Sequence, residues 1–328
     1  MKTSTTYQAN RLRRTQFRHY GDVTIDGPVA IETRLVVVGD LTVHGDLEAD
    51  GVFCFGSIQV SGNVKGGLVI AVGGIDIKGN ADAITMESGA EVGYTAALAE
   101  LPEDASSFPE TYFARWRGDG FFDDLEDLRQ SGFAQVTIGG HLDLYTCDIA
   151  YGLQVKEWFD LDTGFIGGPS SARHVYIDGD LRIHGALSVV DGVEGGELFV
   201  CGLDVSGHVD LADLYSDDDV LIHGHLRVGD VEVKGSLSVE TYLSSYGKVL
   251  VANSLSAGQA IVVKESVQVG NDYGILCGLR VPRSEWPERG WISCPKRPRH
   301  LYTGVYLKDK DFDEMSELLL SLEDPEQV

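Results

Sequence analysis

Basic residues are scarce in this chain of 328 residues, where 26 Lys and Arg stand against 51 Asp and Glu and the formal net charge is −25. Five of the basic residues fall in residues 1–20 and six in residues 280–300, so the rest of the chain holds 15 basic and 49 acidic residues. Because that charge repels phosphate groups, the composition argues against nucleic-acid partners and favours a basic protein as partner. The same composition is also typical of a solvated surface without a partner.

Long apolar runs are missing as well. The first thirty residues contain no apolar core segment, and no stretch reaches the roughly 18 residues of a membrane-spanning helix. We therefore expect no secretory signal and no membrane span. The five cysteines have neither a CxxC spacing nor an even number for pairing, which favours a reducing cytoplasm. Cys54 and Cys201 are predicted to be small buried hydrophobic residues of strands.

What is present is a short glycine-punctuated repeat. Gly39, Gly56 and Gly73 are spaced seventeen residues apart, and alternating apolar residues keep the same step around them. The pattern returns with steps of 17 or 18 in residues 136–142 and 175–270. A period this short, built on apolar-x-apolar-x-Gly, predicts an all-β, single-stranded parallel β-helix with one coil per repeat.

The repeat divides the chain into five segments. We predict a basic N-terminal cap, a first β-helix array, an aromatic and acidic insertion, a second array, and a basic segment followed by an amphipathic acidic helix. Helical caps are expected at both ends, from the helix-compatible Tyr7 to His19 and from a helix that places Phe312, Met315, Leu318, Leu319 and Leu322 on one face. The five segments are residues 1–20, 21–96, 97–134, 135–279 and 280–328.

The coil motif is similar to that of a known family. The run from Val38 to Leu47, read as Val-Gly-Asp-Leu-Thr-Val-His-Gly-Asp-Leu, resembles the coils of bactofilins over residues 23–83 and 175–270. The resemblance implies a cytoskeletal protein whose β-helices join end to end into filaments. In coil length the chain is also similar to the left-handed hexapeptide-repeat acyltransferases, although many of its blocks have five residues instead of six.

Catalytic and metal-binding motifs are absent. The sequence has no GxSxG, no HExxH and no phosphate loop, so we predict no catalytic residue, cofactor or metal. Most histidines recur beside a corner glycine, and this position in the repeat accounts for them without a catalytic role. Adventitious metal binding by His223, His225 and His208 is the alternative. These six histidines are His44, His184 and His223 before the glycine and His141, His208 and His225 after it.

The repeat is interrupted at residues 97–134, where residues 121–130 are predicted to form a short acidic helix, and again at residues 151–171. Insertions in repeat proteins often form the binding face, but they also serve as flaps that bury aromatic residues. On the first interpretation the partner-binding residues are aromatic anchors with nearby carboxylates. They are Phe113, Trp116, Phe121, Phe122, Asp123, Asp124, Trp158 and Phe159, with Asp217, Asp218 and Asp219 as electrostatic support.

Three functions from different classes follow from these features. The first is a non-catalytic acidic protein that binds a basic protein, in its most concrete form an immunity protein that neutralises a bacterial toxin. The second is a bactofilin-like polymerising scaffold, with self-association through the β-helix ends. The third is a β-helix enzyme, an acyltransferase or carbohydrate-active protein, with its site beside the insertion, where Trp116, Asp119, Asp123 and Asp124 are the first residues to test.

Overall fold

The computed structural model describes residues 5–9, 12, 15–90, 95–96, 98–100, 135–308 and 310–321. These residues form parallel strands that stack as the coils of a β-solenoid, with only short helices, which confirms the predicted all-β parallel β-helix. The chain divides into two compact units. Unit 1 comprises Met1–Arg173 and Ile183–Gly185, and unit 2 comprises His174–Arg182 and Ala186–Val328.

Unit 1 alternates shorter odd-numbered strands with mostly longer even-numbered ones, and each strand from β1 to β13 pairs in parallel with the strand two places further along the chain. One odd and one even strand make one coil. The strands are β1 (Thr5–Gln8), β2 (Gln16–Tyr20), β3 (Val23–Asp26), β4 (Val29–Val38), β5 (Leu41–His44), β6 (Leu47–Cys54), β7 (Ile58–Val60), β8 (Val64–Ala71), β9 (Ile75–Ile77), β10 (Ala81–Ser88), β11 (Val136–Ile138), β12 (Leu142–Ile149), β13 (Leu153–Val155) and β14 (Trp158–Ile166).

Strands form here because apolar and polar residues alternate. In β5 and β7 the apolar residues Leu41, Val43, Ile58 and Val60 are buried in the coil interior, while the residues between them face outward. The long strands bend once, at a residue that drops out of the ladder. Between β10 and β12, Ala83 pairs with Leu144 and the next pair is Thr85 with Thr146. The residues skipped at this bend, Ile84 and Tyr145, point outward.

The predicted corner residues have a specific bonding role. The amide N–H of Asn63 donates to Asp46 Oδ1 at 2.7 Å, that of Asn80 to Asn63 Oδ1 at 2.9 Å, and that of His141 to Asn80 Oδ1 at 3.0 Å. Each corner side chain therefore satisfies a backbone donor of the next coil, where no strand partner is available. This chain of bonds explains the acidic and amide residues at the corners without a functional role.

The predicted second interruption at residues 151–171 is wrong. These residues continue the regular coils through β13 and β14, and β14 pairs with β12 along its whole length. The aromatic residues that suggested an insertion lie on a strand. Phe159 points into the coil interior, whereas Trp158 points outward.

The predicted N-terminal helix is also wrong, because most of the described residues from Tyr7 to His19 lie in β1 and β2. Thr5 and Thr6 are β-branched, and in β2 the buried Phe17 stands between exposed neighbours, which is the period of a strand. These strands pair with β3 and β4, so the N-terminal segment supplies a coil.

The start of the predicted insertion packs as a flap. Ala99 is buried against outward-facing apolar side chains of unit 1, among them Phe53 and Ile70. Arg18 donates to the carbonyl oxygens of Ala99 and Glu100 at 3.3 and 3.4 Å, and Arg34 Nη1 lies 2.7 Å from Glu100 Oε1. Residues 98–100 therefore pack against unit 1, while residues 101–134, whose aromatic residues the flap interpretation concerns, lie outside the described part of the chain.

Unit 2 continues the coil pattern with shorter strands and two helices. The long strand β15 (Ser170–Val205) has residues in both units. The remaining elements are β16 (His208–Ser216), β17 (Val220–Ile222), β18 (Leu226–Val233), β19 (Leu237–Val239), β20 (Leu243–Ser245), β21 (Lys248–Val251), β22 (Leu255–Ala257), β23 (Ile261–Val263), β24 (Ser266–Val269), β25 (Ile275–Cys277), a 3₁₀ turn (Arg283–Glu285), α1 (Trp286–Arg289), β26 (Trp291–Ser293), β27 (Leu301–Thr303), β28 (Val305–Leu307) and α2 (Phe312–Ser321).

The predicted C-terminal amphipathic helix is confirmed as α2. It is capped by the preceding Asp311, whose Oδ1 accepts the amide N–H groups of Asp313 and Glu314 at 3.0 and 3.1 Å. Met315 and Leu319 are buried in one cluster with outward-facing residues of the coils, whereas Leu318 is largely exposed. The helix therefore covers a lateral face of unit 2. The cluster contains Tyr242, Ala260, Val262, Trp291, Met315 and Leu319.

Candidate functional site

Three carboxylates of unit 1 stand in one column on neighbouring strands. Asp82 of β10 pairs in register with Asp143 of β12, and Asp143 pairs with Asp160 of β14. All three side chains are exposed, because each lies between two inward-facing residues of its strand. Parallel neighbours are about 4.8 Å apart, so the carboxylates form a ladder of like charge on the outer surface. We call it the carboxylate column.

A second column runs beside the first, at the bend of the same strands. Ile84 and Tyr145 are the residues that leave the ladder there, and 59% and 62% of their surfaces are exposed. Asp162 continues this column on β14. Large apolar side chains that remain exposed on a sheet face next to charged residues are typical of protein-interaction surfaces.

A third column lies at the corner on the other side. Here Trp158 is 57% exposed and makes an edge-to-face contact with His141, the ring centres being 6.2 Å apart. Because Trp158 and Asp160 alternate with the inward-facing Phe159, they point to the same side of β14. The carboxylate column is therefore flanked by exposed aromatic residues on both sides.

The same face continues into a groove of about 570 Å³ on the preceding coils. Gly66 and Gly67 line this groove without side chains, and a methyl group on either would come within 2.6 Å of a backbone carbonyl oxygen. Lys65 is the basic residue among its lining side chains. The acidic residues that line it are Glu32, Glu48, Asp50 and Asp82.

These features together define what we call the acidic face of unit 1. Its first two columns hold six carboxylates and one amine across five coils, and carboxylates at this density attract basic groups. The described side chains of this face offer negative charge and exposed apolar surface. It comprises Glu48, Asp50, Lys65, Asp82, Ile84, Asp143, Tyr145, Asp160 and Asp162, with His141 and Trp158 beside them.

The predicted partner-binding residues have different outcomes. Trp158 lies on the acidic face and is available to a partner. Phe159 is only 2% exposed, so its prediction as an anchor is wrong, since a side chain in the coil interior cannot contact another protein. The other predicted residues of the insertion lie outside the described residues. They are Phe113, Trp116, Asp119, Phe121, Phe122, Asp123 and Asp124.

The predicted acidic cluster of unit 2 is exposed at a corner, but its members have local roles. Asp217 Oδ1 lies 2.6 Å from the Lys234 ammonium group, and Asp219 Oδ1 accepts the amide N–H of Ser236 at 2.6 Å. Asp218 Oδ1 accepts the amide N–H of Asp219 at 2.9 Å. Two of the three carboxylates therefore cap the corner backbone, which reduces what they can offer to a partner.

The carboxylate column was missed in the sequence because the insertion hides its spacing. Asp143 and Asp160 are seventeen residues apart, but Asp82 and Asp143 are separated by 61. The local pattern does contain a signal, because each of the three aspartates stands between two inward-facing residues of its strand. The pattern occurs in Ala81–Ile84, in Leu142–Tyr145 and in residues 159–162. Aligning the coils on both sides of the insertion would have placed the three residues together.

The histidines predicted to occupy corner slots form a stacked ladder in unit 2. The rings of His208 and His225 are 5.2 Å apart, and His225 stacks on Tyr242 at the same distance. His208 Nε2 lies 2.9 Å from Glu194 Oε1, and the Tyr242 hydroxyl accepts hydrogen bonds from Arg227. This recurrence at one slot supports a structural role, as the sequence predicted.

Asp210 is the charged centre of this ladder. Its carboxylate lies 3.5 Å from His225 Nε2 and 3.9 Å from Arg227 Nε. Burial, the largest influence, favours the neutral acid, but the neighbouring His225 and the charge of Arg227 outweigh it and lower the pKa of Asp210. The ionised form of Asp210 therefore stabilises the folded state.

This lowered pKa predicts a pH dependence for Asp210→Asn. A carboxyl whose pKa is depressed on folding stabilises the protein above its unfolded pKa of about 3.9, and that contribution disappears as the pH falls through the folded value. We expect the variant to lose about 1 kcal/mol of unfolding free energy at pH 7, and the difference from wild type to vanish in the acid range. Urea unfolding of both proteins between pH 7 and pH 3 measures this. A difference that stays constant across the range would contradict it.

Four of the five cysteines are buried. Burial raises the pKa of Cys54, Cys147 and Cys277 to about 12, so these thiols stay protonated. Cys54 is buried as predicted, whereas Cys201 is only partly buried, which corrects that prediction. In the part of the chain that the structure describes, no group of three or more His, Cys, Asp or Glu side chains could hold a metal ion.

No helix within the described ranges combines the length and apolar character that crossing a bilayer requires. No protein-family model matches the chain, and neither do any curated protein sequences or solved structures.

Proposed function

We propose that this chain is a non-catalytic binding protein that holds a basic protein on the acidic face of unit 1. Its most concrete form is an immunity protein that neutralises a basic bacterial toxin by occupying its surface. The observation that carries the proposal is the carboxylate column of Asp82, Asp143 and Asp160, flanked by the exposed Tyr145 and Trp158.

Charge and apolar contact have separate tasks in such a complex. The net charge of −25 and the carboxylates of the face accelerate encounter with a basic protein, an effect that salt screens over about 8–10 Å. Exposed aromatic residues supply the contacts that persist after encounter, because desolvated aromatic anchors carry most of the affinity in protein interfaces. Affinity should therefore fall with salt but not disappear.

The test compares two double variants that remove the same charge. Asp82→Asn with Asp143→Asn alters the carboxylate column, while Asp178→Asn with Asp272→Asn alters exposed carboxylates of unit 2. The probe is any basic protein that the wild-type chain captures from its native host, and its binding is measured by titration calorimetry at low and moderate salt. We expect the column variant to weaken binding about 100-fold or more and the control by less than about threefold.

Two results would overturn this proposal. If both variants weaken binding equally, the partner responds to net charge and not to the acidic face. If the wild-type protein binds no basic protein even at low salt, the function itself is wrong. Thermal unfolding of each variant confirms that the exposed substitutions leave the fold intact.

A further inference from the structure

We infer that the element of the partner seated on the acidic face is an α-helix with a stripe of arginine or lysine, lying along the carboxylate column. This inference rests on the proposed function and adds the shape of the partner to its charge. It is carried by the spacing of Asp82, Asp143 and Asp160 and by the exposed apolar residues beside them.

The spacing of the column decides between a helix and an extended segment. Three carboxylates at about 4.8 Å per strand span about 9.6 Å. Residues i and i+7 of a helix, which lie on one stripe, are about 10.5 Å apart, so flexible basic side chains cover the small difference. Three residues on one side of an extended strand span about 13.5 Å, which overshoots the column by nearly one whole coil.

The flanking residues favour the same conclusion. Ile84 and Tyr145 form a parallel apolar column two residues further along the strands, about 6.7 Å away. A helix is about 10 Å wide, so it covers both columns at once if it carries an apolar stripe beside the basic one. An amphipathic basic helix therefore matches both the charge and the apolar pattern of this face.

Lys65 marks one end of the contact. It occupies the column position next to Asp82, and its side chain is exposed. A basic residue of the partner would be repelled there, whereas an acidic residue one turn beyond the basic stripe would pair with it. The partner helix is thus expected to present an acidic residue, followed one turn later by basic residues over two further turns.

The experiment uses two fluorescent peptides of identical composition and the full-length protein. One peptide places its arginines at i, i+4 and i+7 of an alanine-rich helix, and the other places them at alternate positions. Binding is measured by fluorescence anisotropy in about 50 mM salt. We expect the striped peptide to bind about tenfold more tightly, and the Asp82→Asn/Asp143→Asn variant to abolish the difference.

Lys65→Glu provides a gain-of-function variant. It makes the column of carboxylates continuous from Glu48 to Asp160, which is two coils longer, so a striped peptide with two additional basic turns should bind several-fold more tightly to this variant than to the wild type. Equal binding of the two peptides, or tighter binding of the alternating one, would overturn the inference that the partner element is a helix. The proposal of a basic partner would not be affected by that result. Failure of the basic protein itself to bind would instead overturn the proposed function.

Discussion

Gly195→Ala is expected to destabilise unit 2 by at least about 3 kcal/mol. The backbone at Gly195 has a φ of +118°, a conformation that residues with a Cβ atom rarely adopt. A methyl group there would also collide with the carbonyl oxygen of Ile177 on the preceding coil. Both effects act on the folded state, so the loss should appear fully in the unfolding free energy measured with denaturant.

Gly202→Ala is the matched control on the same strand. The nearest atom to a Cβ at Gly202 is the carbonyl oxygen of Asp219 at 3.5 Å, which is an ordinary contact. We expect its unfolding free energy to change by less than about 1 kcal/mol, in either direction. Comparable losses in the two variants would show that Gly195 is not constrained as the structure indicates.

Trp291→Ala is expected to cost about 3–5 kcal/mol of unfolding free energy. Trp291 is 1% exposed and packs in the cluster that joins α2 to the coils, and its indole N–H donates to the carbonyl oxygen of Glu288 at 3.0 Å. Alanine leaves a cavity beneath α2 and removes the hydrogen bond. Chemical unfolding followed by circular dichroism measures the loss.

Trp158→Ala serves as the comparison, because Trp158 is a tryptophan of unit 1 that is mostly exposed. Its removal should change the unfolding free energy by less than about 1 kcal/mol and should weaken binding of the basic partner. If the two tryptophan variants are equally unstable, then Trp158 belongs to the core of unit 1 and not to the acidic face.

The coil architecture could be predicted because its cause is local. The alternation of Leu41 and Val43, and of Ile58 and Val60, places apolar residues inward within a few positions of each corner glycine. This alternation recurs every seventeen residues, so the coil repeat can be recognised in the sequence. The C-terminal helix could be predicted for the same reason, since Met315 and Leu319 are one helical turn apart.

The errors arose where local composition conflicts with pairing between coils. The aromatic residues at positions 158 and 159 suggested an insertion, but adjacent residues of a strand face opposite sides, so one is buried and the other exposed. The N-terminal segment lacks the corner glycine of the repeat, and its pairing with β3 and β4 could not be predicted from propensity alone.

The acidic face was missed in the sequence for another reason. Net charge predicted a basic partner, but not where that charge is concentrated. Asp82 and Asp143 become neighbours only because β10 and β12 pair across the intervening residues. The binding surface is therefore a product of register between coils, and it can be predicted only after the coils have been aligned.

The chain of corner bonds has a consequence for how such a protein evolves. The Asp46–Asn63–Asn80 series joins neighbouring coils of unit 1 by the same kind of bond, so we expect that a coil of this series can be duplicated or deleted without leaving an unmatched junction. A duplication of seventeen codons would insert one complete coil and lengthen the stack of coils by about 4.8 Å. The length of the surface offered to a partner therefore depends on the number of coils that the gene encodes, and natural selection can change it one coil at a time.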